Sequence, residues 1–328
     1  MKRFGFGHAG RIAAILLFVA VSGISLARDR QTAFSEYAYN NENPAYAARS
    51  GPQIVIHRYV SPYLQRGSFE PFAALAETDG FKVQWLDGPI TAEALAETDV
   101  LAIVNAYSRS GQGDYRRYST MDVPSIYSEA ELDLIVSWVE KGGSLLLLAD
   151  HSPFAGGTIA LAGRFGAIYM TGHALRSDSI SENKHVHIDF RRTPDGHGQG
   201  KLNSHPIVDG ELGIGRIEHF YAFGGQAIIP PQEATNLLQI PNGFEAILTF
   251  RLTEEFYSAP RIDASGLSQG MAMTVGQGRV AIFGEAGGFT TQRIDDDEPF
   301  GLADPAADQN AEFVLSTLRW LAGYQQQK

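Results

Sequence analysis

Three short stretches carry groups that could do chemistry. "SLLLLADHSPFAGG" (144–157) ends a run of four leucines in Asp150, His151 and Ser152. "RVAIFGEAGGFTTQ" (279–292) repeats the theme, with Glu285 after an apolar run and Gln292 further on. "VLAIVN" (100–105) ends at Asn105. Each apolar run reads as a buried strand, and each ends in a polar side chain. In parallel α/β sheets ligands bind beyond the carboxyl ends of the strands. The predicted site is therefore Asp150, His151 and Glu285 as acid–base groups, with Asn105, Ser152, His205 and Gln292 as ligand contacts. A histidine beside carboxylates can act as a general base or as a hydrogen-bonding ligand contact. The plainer alternative is that Asp150 caps a turn and His151 sits on the rim with its bonds made.

Ser152 is a poor nucleophile. A nucleophile elbow takes an oxyanion-hole N–H from the next residue, and Pro153 has none. No G-x-S-x-G pattern is present, and the chain has no cysteine. "HVHID" places His185, His187 and Asp189 at alternate positions, so a strand would set them on one face, where zinc is a weak possibility. The alternative is a polar edge strand. No cofactor is expected, with a divalent metal left open. His205 in "SHPIVDG" also fits turn chemistry. "GEAGG" (284–288) lacks the lysine and hydroxyl of a phosphate loop. "DDDE" (295–298) lacks the spacing of a calcium loop.

The elements that position these groups follow from pattern. "SEAELDLIVSWVEKGG" (128–143) is the clearest helix, with Ser128 and Glu131 in capping-box spacing and Gly142-Gly143 as its stop. Thr91 caps a short helix over 90–99, 68–81 holds a helical run that stops at Gly80, and 308–323 reads as a closing amphipathic helix. Strands are predicted at 52–60, 82–86, 100–105 and 144–149, a hairpin over 270–285, and a helix at 156–166. Continuous apolar strands imply a sheet covered on both faces. The fold class is α/β: a doubly wound, flavodoxin-like, mostly parallel sheet with a loop-rich insertion at 170–245 lying over it.

Residues 1–27 have the form of a signal peptide, with basic Lys2, Arg3 and Arg11, the apolar run "IAAILLFVAV", and small residues at Ser25 and Ala27. Cleavage is expected after Ala27, giving a periplasmic or extracellular protein; an uncleaved membrane anchor is the alternative. Residues 28–51 read as a linker or loosely docked arm, and 52–323 as the domain. With no cysteine, an exported chain has no disulfides and must rely on its core. The formal net charge of −11, without a basic cluster, argues against nucleic acid as a partner.

Four stretches resemble a known group: "SEAELDLIVSWVEKGGSLLLLADHSPFAGG", "SHPIVDG", "GQGRVAIFGEAGGFTTQ" and "DQNAEFVLSTLRWLAG". They are similar to an uncharacterised bacterial domain family of the class I glutamine amidotransferase-like superfamily, related to trehalose-utilisation-like and gliding-motility-type domains. The resemblance spans residues 52–323 and implies the fold. In true amidotransferases a cysteine follows the strand that 144–149 resembles. Here the turn is "ADHSPF", so the resemblance implies a scaffold without the usual nucleophile. "IHRYVSP" at the first strand departs from the acidic, histidine-bearing tip of such proteins, so no role carries to His57.

Three functions stay open. One is a binding module for a small-molecule or carbohydrate ligand, with Tyr107, Tyr115, Tyr118, Phe220, Tyr221 and Phe223 available to stack on sugars. Another is a hydrolase using Asp150, His151 and Glu285, with or without metal. The third is an envelope component with a protein partner.

Overall fold

A computed structural model describes residues 31–34, 36–58, 69–106, 124–152, 154–176, 187–196, 198–248, 258–294 and 298–326. The segment expected to be a signal peptide, with its expected Ala27 site, lies outside the described residues, as do Pro153, His185, and the tyrosines at 107, 115 and 118.

The strands, in chain order, are β1 (Gln31–Ala33), β2 (Gln53–His57), β3 (Lys82–Leu86), β4 (Val100–Val104), β5 (Ser144–Leu148), β6 (Ile168–Tyr169), β7 (His173–Arg176), β8 (Ile188–Arg191) and β9 (Gly200–Leu202). They continue as β10 (His219–Ala222), β11 (Ile228–Ile229), β12 (Thr235–Gln239), β13 (Phe244–Ile247), β14 (Arg261–Asp263), β15 (Ser268–Val275), β16 (Gly278–Phe283), β17 (Thr291–Ile294) and β18 (Glu298–Gly301). The helices are α1 (Glu70–Thr78), α2 (Ala92–Ala96), α3 (Glu129–Glu140), α4 (Ile159–Arg164) and α5 (Asn310–Leu321).

The class is α/β, as expected. Strands β3, β2, β4, β5 and β16 lie side by side in that order, all parallel. Alternation explains the layers. Leu146 and Leu148 join one core cluster with Phe72 of α1 and Phe313 of α5. Leu145 and Leu147 join the other with Leu95 of α2, Leu132 of α3 and Leu161 of α4. A strand buried on both faces reads as a near-continuous apolar run, and all five residues of β5, Ser144 and four leucines, are buried.

Beyond β16 the sheet changes character. The β15–β16 hairpin is antiparallel, and the order continues through β12, β9, β8 and β10. So part of the 170–245 segment extends the sheet in its own plane rather than lying over it. The reason is visible in β8 and β10, which alternate half-buried and buried residues. One face of each joins the core through Phe190 and Phe220, and the other stays half-exposed.

Local chemistry sets the helix starts. Ser128 accepts the Glu131 N–H while Glu131 accepts the Ser128 N–H, the reciprocal capping box expected. Thr91 accepts the Ala94 N–H at the head of α2. The stretch after β5 is a 3-10 turn (Gly156–Thr158) running into α4, shorter than the helix expected over 156–166.

The 28–51 segment is firmly docked where described, not loose. β1 pairs with β17, and Tyr37, Tyr39 and Tyr46 pack on the core. A buried ion pair anchors it: Arg319 of α5 donates to Asp79 at 2.8 and 2.5 Å, with side chains 1% and 0% exposed. Asp79 also accepts from Asn41 and the Ala45 N–H, and Arg319 donates to the Asn43 carbonyl. The arm's polar groups thus satisfy charges that the core alone would leave short of partners.

Candidate functional site

The strand register brings three of the expected residues together. Leu148 of β5 pairs with Phe283 of β16 on one side and Val104 of β4 on the other. Asp150 and Glu285 each stand two residues past that level, on neighbouring parallel strands spaced about 4.8 Å apart. Asn105 stands one residue past it, on the far side of β5.

Asn105 is buried, at φ 42° in the left-handed region that asparagine tolerates better than most residues. Its Oδ1 accepts the Asp150 N–H at 2.9 Å. It therefore holds the strand end in place. Asp150 Oδ1 accepts the N–H of His151 at 2.6 Å, closing a tight bend. That bend removes the difficulty that neighbouring residues of an extended strand point opposite ways. His151 Nδ1 lies 2.8 Å from the Ser152 carbonyl. A carbonyl only accepts, so Nδ1 carries the hydrogen and Nε2 is the acceptor of the neutral ring. His151 stacks on His173 of β7, with centroids 4.4 Å apart.

Glu285 is 1% exposed. Its carboxylate accepts from the Gly288 N–H at 2.9 Å and the Phe223 N–H at 3.2 Å. Burial, then the charge of Asp150, push its pKa well above the usual carboxylate range, although these backbone donors oppose the shift. Burial also raises the pKa of Asp150, against the pull of His151 and two backbone N–H groups. The two acids thus compete for charge, as close carboxyls do. Asp150 and His151 are half-buried, while Asn105, Ser152 and Glu285 are buried.

Of the remaining expected contacts, His205 lies elsewhere, while Gln292 and Ser152 are tied into the structure near the strand tips. His205 Nδ1 accepts the Ile207 N–H, and its ring packs edge-on to Trp320. Burial lowers its pKa to about 4. Trp320 lies ten residues along α5 from Asn310, about 15 Å by helix rise, and Asn310 is the end that bonds Gly288 near the site. His205 is thus a loop-fixing residue. Gln292, on β17, donates to the Thr290 hydroxyl at 3.0 Å, and that hydroxyl donates to the Gly287 carbonyl, two residues past Glu285. Ser152 stays at the strand tip but is buried, its N–H donating to the Gly172 carbonyl at 3.0 Å.

The 187–189 face is built differently from a metal site. Asp189 gives one oxygen to Arg191 Nε at 2.5 Å and the other to His219 Nδ1 at 3.1 Å. His187 Nδ1 meets the Tyr221 hydroxyl at 3.2 Å. Among the described residues no group of three metal-ligating side chains converges. Phe220 and Phe223 are buried and pack within the protein, so they offer no platform to a sugar; Tyr221 is half-buried.

Two residues at the site escaped sequence reasoning. Gln226 is fully buried, and its amide donates to the carbonyls of Ala149 (2.6 Å) and Asp150 (3.1 Å) while accepting the Thr171 N–H. Its own N–H bonds the Gly284 carbonyl at 2.7 Å, so one residue ties β5, β16 and the approach to β7 together. Gly225 makes this approach possible: at φ 105°, a Cβ would stand 2.3 Å from the Gly284 oxygen. His173 is the second. Both come from the segment beyond residue 170, and nothing local in their sequence marks them. His57, at the end of β2, is fully buried between the Tyr127 hydroxyl (2.7 Å) and the Gly88 carbonyl (2.8 Å).

No family model matches the sequence, and no curated protein matches it significantly. Solved structures do. The mmIFT52 N-terminal domain is similar with a TM-score of 0.53 at 12% identity, covering 82% of this chain and 97% of that one. The cytoplasmic protein STM1381 from Salmonella typhimurium LT2 has a TM-score of 0.49 at 15% identity, covering 82% and 99%. A putative ThuA-like protein from Bacteroides uniformis has a TM-score of 0.44 at 10% identity, covering 88% and 96%. At such identities a likeness concerns the fold alone.

Proposed function

We propose that this chain is an amidotransferase-like domain without the cysteine step, which binds a small polar or carbohydrate ligand at the tips of β5 and β16. One observation carries the reading. Asp150 and His151 stay half-exposed, while the residues that hold them in place are buried and bonded to backbone. Such pre-set polar groups lower the ordering cost of binding. The Asp150 carboxylate accepts from ligand hydroxyls, and His151 Nε2 offers a further acceptor. The parallel order β3–β2–β4–β5–β16, with helices on both faces, supports a doubly wound, flavodoxin-like reading of that half. The basic and apolar start of the chain supports export, with cleavage after Ala27.

Thermal melts with a panel of neutral sugars and polyols test this. At least one is expected to raise the Tm of the wild type, and Asp150→Asn and His151→Phe are expected to abolish that rise. A panel without effect, or a rise that both variants keep, overturns the reading.

The acid pair supports a second reading, a hydrolase. A carboxyl that keeps its proton near neutral pH is what a general acid needs, and Glu285 is shifted in that direction. Turnover of a chromogenic glycoside or ester, lost in Glu285→Gln, would select this reading over simple binding.

A further inference from the structure

A separate cluster lies on the half-exposed face of β8 and β10. The His219 ring stands between two carboxylates. Nδ1 is 3.1 Å from Asp189 Oδ1 on β8, and Nε2 is 2.6 Å from Asp308 Oδ1, two residues before α5. Ionised carboxylates only accept, and a neutral imidazole has one N–H. Serving both acids therefore requires the doubly protonated, charged ring. The His219 and Asp189 side chains are 14% and 18% exposed, whereas Asp308 is 69% exposed.

The neighbouring charges agree with this assignment. Arg191 of β8 faces the cluster but is committed to the other oxygen of Asp189. On the strand's own approach, Glu218 pairs with Arg216 at 3.1 Å. Tyr221, on β10, is acted on by Asp189 and by Asp304, which precedes α5. Gln309 accepts the backbone N–H groups of Glu218 and His219, and Asn310 bonds both the N–H and the carbonyl of Tyr221. The head of α5 is thus fastened to β10 by neutral bonds at 309 and 310 and by one ionic bond at 308.

We propose that His219 is a pH-responsive clasp that fastens the head of α5 to the edge of the sheet. Loss of the ring proton leaves one nitrogen facing a carboxylate without a hydrogen. The exposed Asp308 is the partner that lets go, because Asp189 remains fixed by Arg191. The hydrogen bond to Asp189 and that to Asp308 raise the pKa of His219 against the effect of burial. The sign follows. A raised folded pKa gives stability that is fully present below the unfolded value, about 6.5, and is lost as pH rises through the folded value. The clasp needs no ligand and so stands apart from the binding reading.

The test is an NMR titration of the histidine rings, with thermal melts across the same pH range, on the wild type, His219→Gln and Asp308→Asn. His219 is expected to titrate above about 6.5 in the wild type and lower in Asp308→Asn. The Tm gap between the wild type and His219→Gln is expected to be widest at the acid end and to close as pH rises. A wild-type midpoint at or below the ordinary value, or a gap that does not vary with pH, overturns the proposal. Should His219→Gln fail to fold, Asp308→Asn alters only an exposed carboxylate and supplies both readouts.

Discussion

At the scale of single residues, Glu285 shows how one side chain can be both structural and chemical. Its oxygens cap the turn at Gly288 and take the Phe223 N–H, yet it is buried beside another acid. Its pKa is raised in the fold. As pH climbs above about 4.5 the unfolded chain gives up this proton while the folded chain keeps it, so stability falls with rising pH. Glu285→Gln removes that fall. Urea unfolding from acid to neutral pH is therefore expected to show the variant gaining on the wild type, by up to about 1.4 kcal/mol per pH unit within the window. Parallel stability curves would remove the proton from this account. The sequence shows Asp150 and Glu285 plainly, because a polar residue closes a long apolar run in each case. It does not show Gln226 or His173, whose roles depend on contacts made by an extension with no comparable pattern.

At the scale of elements, legibility followed local rules. The Ser128–Glu131 box, the Thr91 cap and the β15–β16 hairpin are each specified within a few residues, and each forms. The mixed extension, antiparallel except between β8 and β9, is harder to foresee, because most of its pairings join distant segments. Asp189 meets His219, thirty residues on, only once β8 and β10 are aligned. The alternation in "HVHID" was visible, but not that arginine and histidine would take up the aspartate. The capping box offers a simple check. Ser128→Ala removes the acceptor for the Glu131 N–H and is expected to cost about 1 kcal/mol in chemical denaturation, without change in the m-value.

At the scale of the molecule, the N-terminal arm closes the structure over a buried charge pair. Removing one member leaves the other charged and unpaired, which costs about 3–5 kcal/mol. Asp79→Ala is expected to lose that much, and limited proteolysis is expected to cut within 36–51 sooner than in the wild type. The double change Asp79→Ala, Arg319→Met is expected to cost less than the sum of the two single changes, because no lone charge remains. The same wholeness bears on function, for the strand tips are held by bonds from several distant segments. The most direct test of ligand binding at those tips is an amide NMR titration with the neutral sugars and polyols, mapped residue by residue. Saturable shifts are expected to centre on Asp150, His151 and Ser152, to spread to Gly172 and His173, and to be absent in Asp150→Asn. Saturable shifts that leave 150–152 untouched, or no saturable shift with any of these compounds, would contradict it.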